Sequence, residues 1–366
     1  MNKRALGCVA GLVAVVSVGA SAAAQPKEVH FSNWADYIGP TVLQDFQKET
    51  GIKVVLDAFD SDEILETKLL TGRSGFDVVV PSADFLARQL KAGVYMPLDM
   101  SQLPNHKNLD PELLARVAES DPGNRYAVPY LWGTVGIGYN PAKVKAALGE
   151  NAPVDSWDLI FKPENLAKLK GCGVAFLDAP AKIIPLALHY LGKNPNSQDP
   201  ADYEAGTKLL EKIKLSVTYF SSTKYIADLA NGDVCVAIGF SGDILQAQKS
   251  AQEAGGKVQV QYSVPKEGTN IWFDNLAIPK DSKNPEGALA FINYLMRPDV
   301  IAKTSDYLHY ANANTAASAL MDPAVRQNPA VYPDAKLVKN MYVSLPPPPT
   351  ILRLITRNWS RIKSGV

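Results

Sequence analysis

The residues with the clearest chemical promise lie at 270–279, NIWFDNLAIP, where Trp272 and Phe273 precede Asp274 and an apolar run closed by proline. A carboxylate set against an indole face receives an alkyl ammonium well, because the acid supplies charge and the ring a cation–π surface. The competing reading is a buried strand in which Trp272 and Phe273 fill a core and Asp274 caps the next turn. Enzyme chemistry finds less support. The histidines at 30, 106, 189 and 309 are scattered, with no HExxH pair and no Cys or His cluster of metal-site spacing, so neither metal nor cofactor is expected. Residues 239–243, GFSGD, miss the GxSxG elbow. Residues 133–140, GTVGIGYN, miss both phosphate-binding glycine patterns and read as a strand. Asp243 and Asp274 acting as paired carboxylates on a glycoside are the one enzymatic reading left, and no enzyme is expected.

The elements that must position such residues follow from size and pattern. At 366 residues the chain exceeds what one core usually holds, which argues for two lobes. Lys3 and Arg4, the apolar run that follows and Ala22 to Ala24 form an export signal, so the mature protein is expected to begin near Gln25. Removing it leaves 35 basic against 37 acidic residues, which gives no footing for nucleic acid. Cys172 and Cys235 remain, and in an oxidising compartment they most simply form a disulfide; two buried thiols are the alternative. A closed loop of about 64 residues would contribute roughly 4 kcal/mol in the chain-entropy model.

From Val29 the chain alternates strand-like and helix-like segments. Strands are expected at 29–31, 52–56 and 76–80, with helices opened by Pro40, Ser61 and Ser82 and stopped by Gly51, Gly72 and Gly93. This order predicts an α/β lobe with a mainly parallel sheet whose loops host ligands, among them residues 33–37, 57–62 and 81–82. Strands at 173–177 and 234–239 and a helix over 285–295 continue the pattern, while 258–263 and 271–278 read as a crossing back. A chain that crosses between lobes has its cleft at the hinge. The expected division places 25–132 and 267–318 in one lobe and 133–266 and 319–366 in the other.

Taken together, NWADYI at 33–38, FDVVVPS at 76–82, LANGDVCVAIG at 229–239, Phe273-Asp274, YANAN at 310–314 and KSG at 363–365 resemble the periplasmic polyamine-binding proteins of bacterial ABC transporters, most closely the putrescine-binding branch. The resemblance covers residues 28–365. It implies a two-lobe type II periplasmic-binding-protein fold, a monomeric receptor in the periplasm, a small cationic amine as ligand and an inner-membrane permease as partner. It also implies a Cys172–Cys235 disulfide and ligand contacts at Trp34, Asp36, Tyr37, Ser82, Phe240, Asp243, Trp272, Asp274 and Tyr310. Three positions depart from the putrescine pattern: Ala35 replaces a serine, Phe240 a tryptophan, and Lys182 stands where the family has an amine-binding acid.

An ammonium in place of a carboxylate turns attraction into repulsion, worth several kcal/mol at contact for an effective dielectric near 20. Lys182 would then suit an ω-amino acid or agmatine better than a diamine, unless it swings away, pairs with Asp243 or lies solvated at the surface. The implied mechanism is electrostatic: Asp36, Asp243 and Asp274 draw cations in, and the ligand favours the closed hinge. A sensor docking to a membrane signalling partner is the alternative the fold permits.

Overall fold

The computed structural model describes residues 28–364; the expected signal segment and Gly365 lie outside them. Eleven strands form the framework: β1 Glu28–Trp34, β2 Lys53–Phe59, β3 Val78–Val79, β4 Ala127–Tyr139, β5 Val174–Phe176, β6 Tyr219–Phe220, β7 Val236–Phe240, β8 Gln261–Ser263, β9 Asn270–Ala277, β10 Ala311–Asn312 and β11 Tyr342–Val343. Their hydrogen-bonded order is β2-β1-β3-β9-β4-β7-β5-β6, with β8 and β10 beside β4 and β11 beside β9. The expected parallel ladders are present in β2-β1-β3 and in β6-β5-β7. Where the chain crosses, the neighbours of β4 run antiparallel.

Local sequence explains the helices around β1 to β3. Residues Val42–Thr50 form α1, which ends on Gly51 at φ +75°, a conformation open to glycine at no steric cost. Ser61 caps α2, Asp62–Leu70, by accepting from the Ile64 N–H. Helix α3, Ala83–Lys91, starts as expected after Ser82, but the Ser82 hydroxyl makes no cap. It lies instead between the carboxyl groups of Asp62 and Asp84, and these charge-assisted bonds hold its oxygen away from the helix N–H groups that a cap would accept from.

Two large hydrophobic cores divide the molecule, and we take them as the two lobes; a smaller cluster around Phe59, Leu65 and Leu86 meets the first through Trp34. The first gathers Phe31, Phe46, Val78, Trp132, Phe273 and Phe291; the second Trp157, Phe161, Phe176, Ile184, Tyr225 and Ile238. Every residue of β4 is buried, because its first half belongs to one core and its second half to the other. Among the described residues the chain passes between the cores along β4, again into β9, and again at 344–348. That last passage corrects the expected division. Met321, Val325, Val331, Met341 and Val343 pack in the first core, and only the closing helix Pro349–Ser364 reaches the second, through Ile351, Ile355, Trp359 and Ile362. The cause is β11, which adds a parallel ladder to β9 before residues 346–348, all proline, lead out.

Cys172 and Cys235 are bonded, with Cα atoms 5.4 Å apart, tying the start of β5 to the start of β7 inside the second lobe. Replacing both by serine is expected to lower the unfolding free energy by roughly 4 kcal/mol. Urea unfolding of the double variant checks this, and an unmoved midpoint would contradict it.

Candidate functional site

The crossing strands bring the sequence-predicted residues to one seam between the lobes. Asp274 sits mid-strand in β9, opposite Leu131 of β4 and bridged to Ser82, so it caps no turn. Asp274 is 7% exposed, and the Tyr37 hydroxyl beside it stands outside full hydrogen-bond geometry. Burial is the main reason its carboxyl is pushed up to about 7; the Tyr37 hydroxyl beside it and the Lys182 ammonium pull it down, and Asp84 raises it. The Tyr37 hydroxyl steadies that charge from outside full hydrogen-bond geometry, and it has no other partner.

Asp243 faces the seam from the second lobe. It lies in the first turn of helix Ser241–Glu253, where the exposed N–H groups favour a negative charge. Tyr225 donates to its Oδ2 at 2.5 Å and Tyr310 to its Oδ1 at 3.5 Å. Burial raises this carboxyl, and the two phenols partly offset the rise. Tyr225 is itself locked in place, since its oxygen accepts from the Phe240 N–H and its side chain is fully buried.

A row of rings connects the two acids. Trp272 meets Phe240 edge-on at 6.2 Å and Tyr310 edge-on at 5.2 Å, and Tyr310 meets Tyr37 at 5.7 Å. Glycines make room for them. A Cβ at Gly133 would stand 2.4 Å from the Trp272 ring, and one at Gly242 would stand 2.1 Å from the Tyr310 ring. Gly133 and Gly136 therefore serve ring approach, of Trp272 and Tyr262, and Gly138 admits the Ile244 side chain; none serves phosphate binding. Trp34 sets its indole on Phe59 at 4.7 Å, with its N–H donating to the Val80 carbonyl.

Two predicted residues behave differently from the rest. Asp36 is exposed in the loop after β1 at φ +53° and makes no hydrogen bond or ion pair, so it stands at the rim rather than in the row. Lys182 neither swings to the surface nor pairs with Asp243. Its side chain is 16% exposed and its Nζ lies 3.7 Å from Asp84 Oδ2, across the seam. Asp84 and Tyr225 were missed by sequence reasoning, and Asp62 was marked only as part of a loop. Asp84 could have been found as an acid in a first helical turn next to a predicted contact, and Asp62 lies within the flagged 57–62 loop. Tyr225 carries no sequence signal.

Two cavities, of about 510 and 690 Å³, lie off this row: one beside Asp84 and Ala181 at the 344–348 crossing, the other against Trp132 and Tyr332. Neither includes Asp243, Trp272 or Asp274.

The model of the bacterial extracellular solute-binding proteins matches residues 41–333. The chain belongs to that family. Within it, the chain is 56% identical over 347 residues to the putrescine-binding periplasmic protein SpuD of Pseudomonas aeruginosa, covering 95% of each. It is also 56% identical over 367 residues to the putrescine-binding periplasmic protein PotF of Escherichia coli, covering 100% of this chain and 99% of that one. Among solved structures, the spermidine/putrescine substrate-binding protein PotD of Streptococcus pneumoniae superposes with a TM-score of 0.82 at 29% identity, over 92% of this chain and 98% of that one. The fold is thus the two-lobe type II arrangement of this solute-binding family.

The raised Asp274 carboxyl has a consequence for the empty receptor. Its folded value of about 7 lies above the ordinary value near 3.8, so the native state keeps a proton that the unfolded state has released. The stability of ligand-stripped protein should therefore fall as pH rises from about 4 to about 7, by on the order of a few kcal/mol. Asp274→Asn should remove that part of the pH dependence in urea titrations; a variant that retains it would assign the effect elsewhere.

Proposed function

We propose that this protein is a periplasmic receptor that binds a small diamine of putrescine type in the seam between its lobes and delivers it to an ABC permease. The observation that carries the proposal is the pair Asp243 and Asp274: one half-buried and one buried carboxylate, without a cation of the protein at hydrogen-bond distance, separated by Trp272, Phe240 and Tyr310. An alkyl diammonium has the same layout, two charges separated by an apolar chain. Each ammonium, stripped of water on entry, regains a carboxylate, and the methylenes lie against ring faces. Trp34, Tyr37, Ser82, Phe240 and Tyr310 shape the walls, and Asp36 adds attraction at the rim. The names of the two 56% identical relatives support the same ligand class.

The transport step uses the hinge. Because Asp243 comes from one lobe and Asp274 from the other, the diamine binds the closed form more tightly and draws the receptor into it. A permease then distinguishes loaded from empty receptor by shape. The sequence argument for an ω-amino acid loses its main support, since the Lys182 charge faces Asp84 instead of an empty site.

Ligand-stripped protein should gain thermal stability with 1,4-diaminobutane and turn over nothing. Asp243→Asn and Asp274→Asn should each weaken binding by roughly thirtyfold or more, as expected for one partner of a buried charge pair. Calorimetric titration checks this, and undiminished affinity in both variants would overturn the proposal.

A further inference from the structure

We infer that Lys182 sets how many positive charges a ligand must bring: by offsetting Asp84 across the seam it leaves Asp243 and Asp274 as two unmatched charges, and the closed site selects a diamine over a triamine. The inference rests on the amine-receptor reading above. Its physical ground is the cost of enclosing net charge away from water, which obliges a closed site and its ligand to match.

The pair is built from both sides. Lys182 stands in the first turn of helix Pro180–Tyr190, whose Ile183 and Ile184 are fully buried in the second core and fix that helix in place. Asp84 stands in the first turn of α3, on the other lobe. Its Oδ1 accepts from the Ser82 hydroxyl at 2.9 Å, which leaves Oδ2 turned to Lys182 at 3.7 Å. A contact between residues of opposite lobes exists only while the seam is shut. It is also loose: the ammonium makes no hydrogen bond within 3.5 Å, so its field is shared with Asp274, which it pulls downward without touching.

The other charged groups nearby do not alter the count. Asp62 has both oxygens engaged by the Ser82 N–H and hydroxyl, and burial together with Asp84 favours its neutral form. Asp36 is exposed at the rim, where water screens it. Within the seam three carboxylates face one ammonium, and a dication completes the balance. A trication would place its third charge against Lys182 and meet repulsion there.

Calorimetric titration of ligand-stripped protein with 1,4-diaminobutane, spermidine and 4-aminobutanoate tests this on three proteins: the natural chain, Lys182→Met, and Lys182→Met combined with Asp84→Asn. Methionine keeps the stem and removes the charge. The natural chain should prefer the diamine. Lys182→Met should move the diamine-to-triamine affinity ratio toward the triamine by roughly tenfold or more, and the second substitution should move it back. A ratio equal in all three proteins would overturn the inference while leaving the diamine receptor standing. Preference of the natural chain for 4-aminobutanoate would overturn it too, because Lys182 would then be reading a ligand carboxylate. A natural chain indifferent to every amine would remove both readings together.

Discussion

A carboxylate enclosed in protein without a counter-charge is costly, and the protein either neutralises it with a proton or waits for a cation. Asp274 is in that position: 7% exposed, short of full hydrogen bonds, its carboxyl lifted to about 7. Asp243 faces the same problem from the opposite lobe, softened by two phenols and a helix N-terminus. Much of the surrounding architecture serves to position these two acids, Asp274 buried and Asp243 half-buried. Strand β9 carries Asp274 and Trp272 on one continuous backbone, and β4 beside it gives up side chains at Gly133 so that the indole can lie close.

The two cores account for how such a site can open. Each lobe packs most of its apolar residues in its own core, and the shared contacts are few side chains such as Leu245, Trp272 and Tyr342, so the lobes can part without unfolding either core. What crosses between them is backbone in extended form: β4, the start of β9 and the proline run at 346–348. Away from the 344–348 crossing, where Asn196 bonds the Val343 carbonyl and the Leu345 N–H at 2.9 Å each, the polar contacts over the seam are soft. The Tyr310 hydroxyl reaches Asp243 at 3.5 Å and Lys182 reaches Asp84 at 3.7 Å, both long enough to be remade around a ligand. Closure without cargo therefore gains little, and a ligand that satisfies both acids supplies most of the bias toward the shut state.

Much of this was legible in the residues themselves. Strand and helix periods placed β1, α1, β2, α2 and the helix Pro285–Leu295 within a few positions, because those elements are amphipathic or bounded by proline and glycine. Asp274 beside Trp272 stood out by type alone. What stayed hidden depended on contacts far apart in the chain. Ser82 looked like a cap, since a serine before a helix usually is one, and only the approach of Asp62 and Asp84 shows its hydroxyl spent elsewhere. Lys182 read as a cation in the wrong place until Asp84, 98 positions earlier by number, was seen opposite it. The return of residues 321–343 to the first core follows from the short parallel pairing of β11 with β9, which no local pattern announces.

The central claim is that a buried acid is held in want of a positive guest, and proton release reports on it most directly. Calorimetric binding of 1,4-diaminobutane near pH 7, repeated in buffers of different ionisation enthalpy, counts protons exchanged on binding. A carboxyl at about 7 is close to half protonated there and must ionise to meet the ammonium, so the account predicts net release of a fraction of a proton that disappears in Asp274→Asn. Binding with no proton exchanged, or with protons taken up, would contradict it.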